Sequence, residues 1–253
     1  MRLIWLILTL VTLYGNAAFA QSEAEFPNPY REMTHDMVLI PAGNFERGCD
    51  QLGPEHGAPQ HTVYLNPFLI DKFEVTNQRF EEVMPDHKLS RSKLSRCDRC
   101  PVSKVTWYEA ADYCHLIGKS LPSEAQWEKA AGGNTGCEYP WGPEFDPEKG
   151  LAHGKKKLKE GTAKVGSYPP NKYGVFDMAG NLWEWVADWY GPYTASSKTD
   201  PTGPPTGTSR VLRGGSFDDL PYALGGSLRD RYGYVPGLDN VRLGFRVAWP
   251  GGQ

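Results

Sequence analysis

Glycine and proline punctuate this chain so densely, at 28 and 21 of 253 residues, that long regular elements are excluded. Proline removes a backbone donor and breaks helix interiors, and glycine there costs conformational entropy. A helix bundle would carry far fewer of both. Hydrophobic residues still make up 40% and aromatics 12%, enough for a core, so the expectation is a loop-rich fold with short strands. No repeat, low-complexity tract or linker divides Met37 to Trp249. Residues 37–250 are therefore expected to form one domain, a reasonable size for a single core.

The start of the chain reads as an export signal. Arg2 supplies positive charge, Leu3 to Leu13 is an apolar run, and Ala18-Phe19-Ala20 offers a cleavage site before Gln21. The apolar run is short for a bilayer span, and no cysteine follows the cleavage site to take a lipid. We expect a signal peptide at 1–20, a flexible leader at 21–36, and a periplasmic or secreted protein with no membrane span after cleavage. A net charge of -3 lacks the basic footprint of a nucleic-acid binder. Lys155, Lys156, Lys157 and Lys159 read as a solvated loop.

Five cysteines in an exported chain imply disulfides and one thiol left over. Cys114 falls on the apolar face of a helix and reads as the buried thiol. Cys49, Cys97, Cys100 and Cys137 are the disulfide candidates, with three pairings open. Cys97-x-x-Cys100 could instead be half a zinc site or a redox pair. Against those, no second short-spaced pair exists, and Pro101 with a strand follows where a redox pair would need a helix start.

Local signals place several elements. Met37–Ile40, Thr62–Leu65 and Phe68–Ile70 are apolar, β-prone runs. Thr76 is a plausible cap for a short helix with Phe80 inward. Thr106-x-x-Glu109 and Ser123-x-x-Gln126 are capping boxes. After the first, Trp107, Ala110, Cys114 and Ile117 share a face and Gly118 stops the helix. After the second, Trp127, Ala130 and Ala131 point inward before Gly132-Gly133. From Cys137 onward loops dominate, with closing strands at Val211–Arg213 and Phe245–Trp249.

Eight ordered motifs carry a family resemblance. They run from Met37-Val38-Leu39-Ile40-Pro41-Ala42-Gly43 and Glu74-Val75-Thr76-Asn77 through Pro101-Val102 with Val105-Thr106-Trp107, Gly118 to Glu128, and Tyr139-Pro140-Trp141-Gly142. Gly180-Asn181-Leu182-Trp183-Glu184-Trp185, Arg213 to Phe217 and Gly244-Phe245-Arg246 complete them. The chain resembles the formylglycine-generating enzymes, or sulfatase-modifying factors. The resemblance implies an α+β, C-type-lectin-like fold, loop-rich, with short antiparallel strands and a few short helices.

Members differ in chemistry, so membership implies the fold before the reaction. Formylglycine generators hold copper with two cysteines, and the resemblance puts Asp219 and Leu224 at those positions. A carboxylate and an alkyl chain cannot replace thiolates for cuprous ion, so copper and formylglycine generation by that route are not expected. The family partner of Cys114, just after Gly-Phe-Arg, is here Val247. The histidine motif of non-haem iron relatives lies in a separate domain; His56 and His61 are the one close pair and read as loop histidines. The family's structural calcium site, carried over, implies the carboxylates of Asp177 and Glu184 and the carbonyls of Gly180 and Leu182. A second calcium site would fall among the lysines of 154–160 and is not expected. Asp218, Asp219, Arg229, Asp230 and Arg231 fall in the segment lining the family's substrate cleft. They are either recognition groups, a carboxylate-assisted site, or a salt-bridged network ordering a long loop.

The leading expectation is an accessory or binding protein that recognises a peptide or protein partner through that cleft. The alternative is a periplasmic oxidoreductase of the non-haem iron type, its iron unlocated, that tailors a peptide or cofactor. A formylglycine-generating oxidase ranks last.

Overall fold

Among the described residues no strand exceeds seven residues and no α-helix exceeds ten. The structure is a computed structural model and describes residues 36–133, 138–152, 161–230 and 234–250. The expected signal peptide, residues 21–35 of the leader, Cys137, the 155–159 lysines and Arg231 lie outside the described residues. In chain order the strands are β1 (Met37–Ile40), β2 (Gly43–Arg47), β3 (His61–Leu65), β4 (Phe68–Asp71), β5 (Trp183–Trp189), β6 (Lys198–Thr199), β7 (Arg210–Arg213), β8 (Leu243–Phe245) and β9 (Ala248–Pro250). The helices are α1 (Asn77–Val83), α2 (Trp107–Leu116) and α3 (Glu124–Ala131).

Both capping boxes close. Thr106 Oγ1 accepts from Glu109 N at 3.1 Å while Glu109 Oε2 accepts from Thr106 N at 2.8 Å. Ser123 and Gln126 repeat the exchange at 3.2 and 2.8 Å. Thr76 caps α1 through Arg79 N at 3.3 Å. Such short helices persist through burial against neighbours rather than through propensity. α2 packs Ala110, Cys114 and Ile117 inward, while Trp107 stays half-buried. On α3 the expected Trp127, Ala130 and Ala131 are buried, but so are Glu124, Glu128 and Lys129. Lys129 Nζ donates to the carbonyls of Pro41 and Gly43 at 2.7 and 2.8 Å, so its charge is solvated by backbone.

The strands form three three-stranded sheets, ordered β1-β4-β9, β2-β3-β6 and β7-β5-β8. Most neighbours run antiparallel, but β6 on β3 and β8 on β5 are parallel. Two sequence expectations need correction. The loop-dominated half contains the longest strand, β5, buried along most of both faces, so it lacks the alternation of a half-exposed strand. The single closing strand at 245–249 is two strands. It breaks at Arg246-Val247, where the chain leaves β5 to join β4 and Arg246 turns inward. Ile40, Phe45, Val63, Phe68, Trp127 and Val211 belong to the main core cluster.

Cys97 and Cys100 are joined to each other in a disulfide, and Cys49 is disulfide-bonded. Cys114 is a free, buried thiol, and burial pushes its proton affinity well up, so it is not a ready nucleophile.

Candidate functional site

The Gly-Asn-Leu-Trp-Glu stretch enters β5 through a strained turn. Asp177, Gly180 and Asn181 take left-handed φ values of 57°, 90° and 64°. At Gly180 a side chain would collide with the Leu151 carbonyl, so glycine is required there. Asn181 holds the turn: its Nδ2 donates to Glu74 and its Oδ1 accepts from Ala163 N. Glu74 Oε1 also accepts from Leu182 N at 3.1 Å. One residue into β5, Glu184 receives Arg246 twice, Nη2 to Oε1 at 2.6 Å and Nε to Oε2 at 2.7 Å, with Trp127 Nε1 at 2.7 Å.

Three buried acids thus neighbour one guanidinium. Burial, then the charges of Asp177 and Glu184, raise Glu74 well above the carboxylate range despite Arg246. Burial raises Asp177 to about 6, against the Gly166 amide and Arg246. Asp177 Oδ2 accepts from Gly166 N at 2.7 Å, whereas Oδ1 is buried with no hydrogen-bond partner. An orphaned anionic oxygen in a region of excess negative charge fits a hard cation such as calcium. Glu184 fits less well, because both its oxygens already face Arg246. Among the described residues no three His, Cys, Asp or Glu side chains converge as a metal-holding group.

The four described cleft candidates do not share one centre. Asp219 Oδ2 accepts from Trp183 Nε1 at 2.8 Å, from Ser216 N at 3.0 Å and from the Ser216 hydroxyl. Leu224 is fully buried beside Ala152, Ala179 and Ala223, with Tyr139 and Trp141 packed against them. Asp218 and Asp219 face Arg242 at 3.7 and 3.9 Å, all three partly exposed. Arg229 is buried elsewhere: Nε and Nη2 donate to the two oxygens of Glu124, both at 2.9 Å, and Nη1 to Gly191 O at 2.6 Å. Asp230 N donates to Leu212 O at 3.3 Å, continuing the strip beside β7.

Arg229 does enter a salt-bridged network, one of the expectations for it, but in a charged core on α3 whose members Glu124 and Glu128 the sequence reading missed. Glu124 also receives Arg47 Nη2 at 2.7 Å, Arg213 Nη1 at 3.1 Å and the Tyr193 hydroxyl at 2.9 Å. Glu128 accepts from Arg213 at 2.9 Å, from Gly48 N at 2.6 Å and from Ser227 Oγ at 2.9 Å. Asp188 Oδ2 caps α3 through Glu124 N at 2.8 Å. Burial would raise the Glu124 carboxyl, but Arg229, Arg47 and Arg213 outweigh it and lower the pKa to about 2. Asp188 moves the other way, to about 6, through burial and then the charge of Glu124. The available signal was Glu124 and Glu128 one turn apart on a helix otherwise inward-facing. Nearby, Arg210 lies between the Trp107 and Trp189 rings, 3.7 and 3.5 Å from their centres.

His56 and His61 use their Nδ1 atoms on different carbonyls, Arg229 O at 3.3 Å and Pro59 O at 3.0 Å. These contacts do not bring them to one centre.

Comparison with known proteins bears on the family and the fold. Over 257 residues the chain is 39% identical to a serine/threonine-protein kinase pkn1 of Chlamydia pneumoniae, covering 91% of this chain and 40% of that protein. It thus spans well under half of that relative's length. It is 33% identical to a formylglycine-generating enzyme of Streptomyces coelicolor, covering 92% of this chain and 95% of the enzyme. The solved structure of Treponema denticola variable protein 1 superposes with a TM-score of 0.74 at 26% identity, covering 85% of this chain and 94% of that one. The model of the family described as the sulfatase-modifying factor enzyme 1-like domain matches residues 22–250. With the loop-rich α+β fold and the Gly-Asn-Leu-Trp-Glu turn in place, this chain belongs to the sulfatase-modifying factor enzyme 1-like family.

Proposed function

We propose that this protein is an exported binding or accessory member of the family, not a generator of formylglycine. The observation that carries the reading is what occupies positions 219 and 224. Asp219 is engaged by Ser216 and Trp183, and Leu224 is sealed in apolar packing. Neither side chain supplies the soft thiolate that cuprous ion prefers. The segment instead presents Asp218, Asp219 and Arg242 at a partly exposed rim, with Leu220 and Tyr222 exposed beside it. Mixed charge around exposed apolar groups suits a peptide or protein partner. The apolar run Leu3 to Leu13 of the expected signal peptide supports a periplasmic or secreted location. Among the described residues no helix is long and apolar enough to cross a membrane.

Calcium would be held through Asp177, with carbonyls of Gly180 and Leu182 and remaining lone pairs of Glu184. Its contribution would be structural, pinning the turn that leads into β5. The decisive test supplies the purified protein with copper, oxygen and a sulfatase-derived cysteine peptide, and follows the peptide by mass spectrometry. An unchanged cysteine is expected; conversion to the aldehyde sinks the reading. Separately, millimolar calcium should raise Tm after chelation while Asp177→Ala abolishes the shift. Equal shifts in both proteins would remove calcium from this site.

A further inference from the structure

A cavity of about 350 Å³ opens where β2, β3, β5, β6 and the 191–204 loop meet. Arg47, His61 and Lys198 bring positive or donor groups to its wall, and Trp189 and Tyr193 bring aromatic surface. Pro192, Pro201 and Pro204 also line it. Their fixed φ angles make the rim preformed rather than assembled on binding.

The wall's hydrogen-bonding capacity is lopsided. Glu124 is its one carboxylate among the described residues. Both Glu124 oxygens are already engaged, by Tyr193, Arg213 and Arg229 on one and by Arg47 and Arg229 on the other. The Tyr193 hydroxyl is committed to the same carboxylate. Arg47 gives Glu124 one nitrogen at 2.7 Å, and its buried Nε makes no hydrogen bond and lies 3.8 Å from Glu128 Oε2. Lys198 is exposed at the mouth. The cavity therefore offers the exposed charge of Lys198 beside the guanidinium of Arg47, with its one described carboxylate already engaged. The Tyr193 ring lies 4.4 and 4.3 Å from the Arg47 and Arg229 guanidinium carbons, so a planar charged surface continues into a planar apolar one.

A ligand that fits must bring acceptors with negative charge on an extended or flat body. The volume is far larger than one carboxylate needs and lies at the small end of organic-ligand pockets. Grooves lined by aromatic residues are the usual seat of extended, proline-containing peptide. We propose that this cavity binds the carboxylate of an acidic peptide segment, with Arg47 and Lys198 facing the charge and Trp189 and Tyr193 the flanking chain. Of the described cleft candidates it shares Arg229 alone. It stands apart from the functional reading above, since a formylglycine generator could carry it equally well.

The test is fluorescence anisotropy of the full protein with fluorescein-labelled Pro-Pro-Glu-Pro-Pro amide and its Gln counterpart. The Glu peptide should bind at least about tenfold more tightly, and the difference should shrink as salt rises. Lys198→Glu, on an exposed two-residue strand, should weaken the Glu peptide by about tenfold or more while leaving Tm unchanged. Equal affinity for the two peptides, no saturable binding of either, or an unaffected Lys198→Glu protein would overturn the proposal. So would saturable binding of galacturonate without binding of the Glu peptide, which would assign the cavity to an acidic sugar. A positive aldehyde assay would overturn the non-catalytic reading and leave this measurement intact.

Discussion

Replacing Glu124 by glutamine tests the charged core directly. The side chain keeps its shape, but three guanidiniums lose their shared anion and retain Glu128 and Asp188 as acidic neighbours. The shift from 4.5 to about 2 spans about 2.5 pH units, equivalent to about 3 kcal/mol at 1.36 kcal/mol per unit. Breaking a buried ion pair from one side costs about 3–5 kcal/mol in other proteins, so the two routes agree. For a domain of this size that predicts a fall in Tm of roughly 6–20 °C. Urea unfolding at pH 7, followed by tryptophan fluorescence, should show a lower midpoint with an unchanged slope. The pH dependence supplies a second arm. A depressed carboxyl pKa stabilises above its unfolded value near 4.5, and the benefit disappears as pH falls through about 2. The gap between wild type and Glu124→Gln should therefore close across that window. A loss below about 1 kcal/mol at pH 7, or a gap that stays constant down to pH 2, would refute the assignment of Glu124 as the hub.

Other perturbations follow from local geometry. Arg210→Ala removes a guanidinium held between two tryptophans and its 2.6 Å bond to Ala187 O; a loss of about 2 kcal/mol and altered tryptophan fluorescence are expected, and unchanged denaturation would contradict the stack. Replacing both Cys97 and Cys100 by serine opens a loop with a sequence separation of 3, so chain entropy predicts a penalty of about 2 kcal/mol; loss of folding altogether would mean this disulfide does more than close a loop. Gly180→Ala places a methyl against the Leu151 carbonyl at φ 90°, and should cost at least about 3 kcal/mol; a soluble variant with wild-type Tm would show that the turn can relax.

What the sequence disclosed was local. The capping boxes at Thr106 and Ser123 fix helix starts through contacts three residues apart, so they are visible without tertiary information. The Met37 and Phe68 strands are similarly announced by short apolar runs. β5 was hidden because its residues are buried on both faces, and an uninterrupted Trp-Glu-Trp-Val run reads equally as loop or helix. The charged core was hidden for a different reason. Arg229 reaches Glu124 across 105 residues and Arg246 reaches Glu184 across 62, and isolated charges in a sequence look solvated. Around position 219 the sequence declares the lack of cysteine. It does not declare that Asp219 ties a serine turn to Trp183, or that Leu224 fills an apolar seat.

The break at Arg246-Val247 sends the last strands to two different sheets, β8 to the edge of β5 and β9 to the edge of β4. Neither sheet can acquire its third member until the ribosome has released residues 243–250. Both sheets therefore wait on the same eight-residue stretch, residues 243–250, for their completion. Because β9 pairs with β4, as in Ile70 with Ala248, one of those closures spans most of the described chain, a non-local contact of the kind that slows folding.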